Sequence, residues 1–184
     1  MKEVQIVLVF ETSRLKRTDD AYYLWMLKTY FPKEVAKCSG ASVGILLNYA
    51  YMDGKTNYKK RATLNQIRDY KNGYSGKTYV VYCFDVDTKT AADLAFYKEA
   101  ALWCKESGFL VSMAFPEIEN IFGYGRDKGD KVCRMRLFAR NYPKKNDIEK
   151  ENVFVSSSLE PIALTSGQTT FCSVIKAIVD EAKF

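Results

Sequence analysis

The chain has 184 residues, of which 47% are apolar and 27% charged, enough to bury one well-packed core in a single domain. It contains no histidine, which excludes Ser-His-Asp and Cys-His catalysis, His-ligated zinc and the HExxH enzymes. Any acid–base or metal chemistry must therefore depend on carboxylates, lysines or tyrosines.

Cysteine usage and the N-terminus predict the compartment. The five cysteines are widely scattered, without a C-x-x-C pair or zinc-type spacing, as is typical of buried thiols in a reducing environment. The chain opens directly into an apolar strand, with no basic leader, and no apolar run approaches the ~18 residues of a membrane helix. We therefore expect a cytoplasmic protein that does not insert into a membrane.

Apolar runs and helical periodicities alternate along the chain. They predict strands at 4–10, 42–51, 78–87 and 109–115, and helices at about 19–31, 58–70, 90–107 and 169–183. This alternation predicts an α/β fold: a three-layer, open, mainly parallel sheet with helices on both faces. Residues 1–125 would form this core. Residues 126–184, a basic segment and a C-terminal helix, would be an extension packed on the same domain.

The third predicted strand, 78–87, ends at two aspartates, Asp85 and Asp87. Its near-continuous apolar character suits a buried parallel strand, and ligands gather at the carboxyl ends of such strands. Residues two apart on a strand point to one side, so both carboxylates could bind one Mg²⁺ (or Mn²⁺), which prefers oxygen ligands. The alternative is that the aspartates only end the strand and cap the helix that begins near Thr90.

Two further carboxylates follow predicted strands. Glu11 comes directly after the first strand, and Glu119 comes shortly after the fourth. Because a parallel sheet brings the carboxyl ends of its strands to one edge, we expect these side chains at the same edge as Asp85 and Asp87.

A basic segment, 126–145, follows this region. It holds eight basic and two acidic side chains, so its formal charge of +6 equals that of the whole chain. Such a concentration predicts contact with a phosphate backbone, although a loop solvated by its own charges would look similar. The candidate nucleic-acid-binding residues are Arg126, Lys128, Lys131, Arg134, Arg136 and Arg140. The alternation from Arg134 to Arg140 predicts a partly exposed strand, with Arg134 and Arg136 on one face.

The order of these motifs resembles the TOPRIM superfamily, and within it the RloB-like (AbiL-related) proteins of bacterial defence loci. The pattern is a glutamate after the first strand and a D-x-D after a later one. The matching residues are Glu11, the run Thr18-Asp19-Asp20-Ala21-Tyr22-Tyr23, Phe84-Asp85-Val86-Asp87 and Pro116-Glu117-Ile118-Glu119. The resemblance covers roughly residues 4–125.

This resemblance implies a metal-dependent phosphoryl-transfer enzyme, a nuclease of a bacterial or mobile-element defence system. Asp85, Asp87 and Glu119 would hold Mg²⁺ or Mn²⁺, and Glu11 would move the proton of the attacking or leaving oxygen. The alternative is a TOPRIM-like module without turnover that binds nucleic acid or a protein partner encoded nearby. A flavodoxin- or receiver-like domain with an acidic pocket fits less well, because the acidic pair of a receiver would follow the first strand, where Glu11 stands alone.

Overall fold

The computed structural model describes most of the chain and shows an α/β fold. The described residues are 2–15, 19–35, 43–123, 131–141, 143–144, 148–157 and 161–183. Within them, helices lie on both faces of one five-stranded sheet. The predicted three-layer arrangement is therefore confirmed at this level.

The sheet is mainly parallel. Its strands are β1 Lys2–Phe10, β2 Val43–Tyr51, β3 Lys77–Asp85, β4 Leu110–Phe115 and β5 Gln168–Thr169. They lie in the order β2-β1-β3-β4-β5, with the first four parallel and β5 antiparallel to β4. All four strands predicted from the sequence are present, and β5 is an addition.

Helices connect the strands and follow the sheet. They are α1 Asp20–Tyr30, α2 Pro32–Val35, α3 Arg61–Asn72, α4 Ala91–Glu106, α5 Ile118–Ile121, α6 Lys131–Arg140, α7 Lys150–Val153 and α8 Phe171–Ala182. The second predicted helix begins three residues later than expected, because a 3₁₀ turn at Lys55–Asn57 precedes α3. Pro32 ends the first helix as predicted and then occupies the first position of α2, where a proline is well tolerated.

The side chains of the central strands alternate between two apolar cores. In β1, Ile6 and Leu8 face the core formed with α1 and α8, whereas Val7 and Val9 face the core formed with α3 and α4. Residues alternate across a strand, so a central strand buried on both faces needs apolar side chains throughout. This explains the apolar runs at 6–10 in β1 and 79–84 in β3.

The segment Arg134–Arg140 belongs to helix α6, so the predicted strand is wrong. Arg134 and Phe138 are one helical turn apart and both are buried, while Arg136 and Arg140 are exposed. Phe138 packs at 4.4 Å between ring centroids against Tyr22. In a helix, Phe138 and Arg134 are buried on the same face, and the burial of this aromatic side chain stabilises the helix. The two-residue alternation of the sequence does not outweigh this packing.

The C-terminal part shares the core of the N-terminal part. Phe138 and Val153 lie in the same apolar cluster as Ile6 on the α1 side of the sheet. Thr170 also accepts a hydrogen bond from the Met113 amide through its hydroxyl, which fixes the start of α8 beside β4. In the described ranges, no helix is long and apolar enough to cross a membrane.

Candidate active site

Glu11 and Asp85 meet at the carboxyl edge of the sheet. Glu11 directly follows β1, and Asp85 is the last residue of the neighbouring strand β3. The Asp85 amide donates to Glu11 Oε1 at 3.0 Å, so the carboxylate of one strand end touches the backbone of the other. This is the convergence that the sequence predicted for these two residues.

The Asp85 carboxylate is buried and oriented by the backbone that follows β4. Its side chain accepts a hydrogen bond from the Ile118 amide to Oδ1 at 3.1 Å, and the residue is 5% exposed. The strand alternation directs it to the α1 side of the sheet, where Cys83 also lies. A hydrogen bond from a backbone N–H to a carboxylate is charge-assisted and strong, so it helps to fix the orientation of the Asp85 side chain.

A third carboxylate, Asp19, joins Glu11 and Asp85 around Tyr23 and Cys83. Burial raises the pKa of the Tyr23 hydroxyl, and burial likewise raises the pKa of the Cys83 thiol. The negative charges of Asp85, Asp19 and Glu11 raise both pKa values further. Asp19 is itself 3% exposed and lies just before α1. Three acidic side chains thus concentrate negative potential on the α1 side of this edge.

Asp87 lies beyond the end of β3 and contacts a different set of residues. Its Oδ2 is 2.8 Å from Lys55 Nζ, which also donates to the Tyr97 hydroxyl at 3.2 Å. Tyr97 belongs to the core on the α4 side of the sheet. Because the strand ends at Asp85, the rule that residues two apart share a side does not extend to Asp87.

The turn after β2 places Lys55 at this edge. Asp53 and Gly54 have positive φ angles of 56° and 114°, and the Gly54 amide donates to the Glu11 carbonyl at 2.7 Å. Glycine takes such a φ without the steric cost that a Cβ imposes. Burial lowers the pKa of Lys55, but its hydrogen bonds to Asp87 and Tyr97 raise it more, so the ammonium stays charged.

Glu117 and Glu119 form a buried ion-pair cluster with Arg134. Arg134 Nη2 is 3.3 Å from Glu117 Oε2 and 3.8 Å from Glu119 Oε1. Arg134 is 4% exposed and Glu119 is fully buried. The guanidinium offsets the charge of two carboxylates that burial would otherwise make costly.

The predicted nucleic-acid-binding residues occupy different environments. Arg134 points into the acidic cluster, whereas Arg136 and Arg140 are exposed on α6. Lys131 begins α6, and Arg126 and Lys128 lie outside the described residues. Among the members of the set whose side chains the structure describes, Arg136 and Arg140 are exposed to solvent and Arg134 is buried.

The donor chemistry of the edge fits a hard divalent cation. Glu11 and Asp85 supply carboxylate oxygens from adjacent strand ends, and Mg²⁺ is commonly bound by one or two carboxylates together with water and substrate phosphates. Among the residues that the structure describes, no group of three or more Cys, Asp or Glu side chains is arranged to enclose a metal ion.

Sequence reasoning gave no role in the site to three of its residues, Asp19, Lys55 and Tyr97. Asp19 stands there only within the run 18–23 that matches the TOPRIM pattern, and its side chain makes no capping hydrogen bond to α1. Lys55 follows the Asp53-Gly54 turn, which was the available signal that the chain reverses there. Tyr97 looked like one of many apolar residues on α4, and its hydroxyl donates to the Asp85 carbonyl.

No protein-family model, curated protein or solved structure matches the chain. The resemblance to TOPRIM proteins therefore depends on the residues and motifs of the chain itself.

Proposed function

We propose that the chain is a metal-dependent phosphoryl-transfer enzyme, a TOPRIM-like, RloB-like nuclease acting on DNA or RNA. The contact between Glu11 Oε1 and the Asp85 amide carries this proposal, because it holds the Glu11 carboxylate against the neighbouring strand end that bears Asp85. Carboxylates at this place in an open parallel sheet are where a phosphate-bound cation would be held. A bacterial or mobile-element defence system is the setting that the resemblance implies.

In this proposal Asp85 is the principal ligand for Mg²⁺ or Mn²⁺. The cation would supply Lewis-acid stabilisation of charge on the scissile phosphate, worth several kcal/mol. The Ile118 amide fixes one Asp85 oxygen at 3.1 Å, which orients the carboxylate before any substrate arrives. Asp87 and Glu119 complete or orient the surroundings, and both lie within 4 Å of a basic side chain.

Glu11 acts on protons in this proposal. Its carboxylate is half-buried beside Asp85 and can hold the proton of the attacking or leaving oxygen. Without histidine in the chain, a carboxylate is the natural group for this role. The Asp85 amide restrains Glu11 Oε1, which holds this carboxylate at the strand end.

A second candidate function is a binding module without turnover. Arg134 already offsets the charge of Glu117 and Glu119, and Lys55 offsets that of Asp87. An acidic edge with built-in cations has less need of a metal ion. Such a module would bind nucleic acid through exposed basic side chains, or bind a protein partner, and would leave every substrate uncut.

A cleavage assay on single- and double-stranded DNA and RNA separates the two candidates. Wild type is expected to cut at least one substrate in Mg²⁺ or Mn²⁺ and none in EDTA. Asp85→Asn is expected to reduce the rate by ~100-fold or more. The cation would contribute several kcal/mol of transition-state stabilisation, and each 1.4 kcal/mol lost corresponds to about a tenfold lower rate. Asp69→Asn, which alters an exposed carboxylate on α3, is the matched control and is expected to cut at the wild-type rate. Binding that survives EDTA, without cleavage of any substrate, would favour the binding module.

A further inference from the structure

Lys55 contacts several residues that surround Asp85 and Asp87 at the end of β3. Its Nζ is 2.8 Å from Asp87 Oδ2 and 3.5 Å from Asp93 Oδ1. It also donates at 3.2 Å to the Tyr97 hydroxyl, which in turn donates to the Asp85 carbonyl. One ammonium group therefore bonds Asp87 directly and reaches Asp85 through Tyr97.

The burial of Lys55 distinguishes it from an ordinary surface lysine. Its side chain is 27% exposed, and Nζ lies 5.3 Å from the Tyr97 ring centroid. The nearby Lys59 also pairs with a carboxylate, that of Glu99, but both of those side chains are more than half exposed. A partly desolvated ammonium interacts more strongly with its carboxylate than a fully hydrated one.

We propose that Lys55 is a positioning residue of the site, whose ammonium holds the Asp87 carboxylate until a divalent cation takes that carboxylate over. This inference rests on the proposed function, because it requires a cation at Glu11 and Asp85. Asp87 then exchanges one positive partner for another, and its carboxylate keeps a compensating charge throughout the exchange.

Charge repulsion supports this exchange. A dication bound near Asp85 repels the Lys55 ammonium and attracts the Asp87 carboxylate, so the two positive charges compete for Asp87. The ion pair with Lys55 must break before Asp87 can reach the cation. Its free energy therefore opposes metal binding, and removal of the Lys55 charge is expected to tighten binding.

Titration of the full chain with MnCl₂, followed by calorimetry, tests this exchange without reference to activity. Lys55→Met is expected to bind Mn²⁺ about two- to fivefold more tightly than wild type, the range that partly exposed ion pairs support. Lys55→Arg keeps the charge and is expected to bind within about a factor of two of wild type. Lys59→Met is the matched control and is expected to leave the affinity unchanged.

The double variant Lys55→Met/Asp87→Asn isolates the role of Asp87. The gain seen in Lys55→Met is expected to disappear when it is compared with Asp87→Asn alone, because the released carboxylate is no longer there to bind. A gain that persists in the Asp87→Asn background would overturn the exchange and leave only a general field effect. Lys55→Gln removes the same charge in a polar side chain and serves if Lys55→Met fails to fold.

The outcomes for wild type separate this inference from the proposed function. Mn²⁺ binding by wild type with an unchanged or weaker affinity in Lys55→Met and Lys55→Gln would overturn the exchange alone. The absence of Mn²⁺ binding in every variant would overturn both the exchange and the proposed metal site. Tighter binding that depends on Asp87 would support the exchange.

Discussion

Replacement of Arg134 by methionine is expected to destabilise the protein by about 3–5 kcal/mol, the usual cost of removing one partner from a buried ion pair. The guanidinium lies 3.3 Å from Glu117 and 3.8 Å from Glu119, and its residue is 4% exposed. Methionine keeps the length and helix propensity of arginine but leaves two buried carboxylates without that charge. The cost arises from those carboxylates and not from α6 itself.

Urea unfolding, followed by circular dichroism, measures this change in the free energy of unfolding. Thermal unfolding gives a second readout. At this chain length each kcal/mol lowers the melting temperature by about 2–4 °C, so that of Arg134→Met is expected to fall by roughly 10 °C. Arg136→Met is the matched control on the exposed face of the same helix, and its free energy of unfolding is expected to change by about 0.5 kcal/mol or less. Adding Glu119→Gln to Arg134→Met is expected to restore part of the loss, because it removes one buried charge.

Equal, small changes in Arg134→Met and Arg136→Met would refute the argument. That result would mean that Arg134 is hydrated in solution and that α6 presents all its arginines to a ligand. Such a result would favour the prediction from the sequence that Arg134 contacts a phosphate backbone.

Three further predictions concern other parts of the molecule. Iodoacetamide at pH 8 is expected to modify the exposed Cys133 but not Cys83, because burial raises the pKa of the Cys83 thiol and only the thiolate reacts. Mass spectrometry of the labelled native protein measures this, and labelled Cys83 would contradict it. Gln66→Ala is expected to lower the free energy of unfolding in urea by about 1–2 kcal/mol, because the Gln66 amide hydrogen-bonds both the N–H and the C=O of Tyr51 at the end of the edge strand β2. An unchanged urea midpoint would show that these two bonds do not contribute to stability. For nucleic-acid binding, Arg136→Glu/Arg140→Glu is expected to reduce the slope of log affinity against log salt concentration by about 0.9 per lost contact with a duplex phosphate. If filter binding gives the double variant the same slope as wild type, these arginines do not contact phosphates.

The strands were predictable because burial on both faces of a parallel sheet favours long apolar runs. The predicted ends of β1, β2 and β4 agree with the structure to within about two residues. The helix α6 was not predictable from the run Arg134–Arg140, since its two-residue alternation suits a strand and also fits one helical turn between Arg134 and Phe138. The packing of Phe138 against distant aromatic residues decides between them.

The candidate site was predictable only in part. Carboxylates at strand ends identify the edge, and Glu11 and Asp85 lie there together. Their counter-charges could not be found, because a count of charges does not tell which cations are used in buried pairs. The composition of the segment 126–145 predicts a basic surface that includes Arg134, whereas the structure pairs Arg134 with Glu119. Lys55 reaches Asp87 only through a turn with two positive φ angles.

A crystal of the protein soaked in Mn²⁺ and measured for anomalous scattering tests the proposed metal site directly. An anomalous peak is expected at the carboxyl edge of the sheet, within about 2.0–2.6 Å of an Asp85 oxygen and beside Glu11, with no peak there in Asp85→Asn crystals soaked in the same way. A fully occupied peak elsewhere, or none at the edge at saturating Mn²⁺, would contradict the proposed metal site and with it the assignment of phosphoryl transfer to these carboxylates.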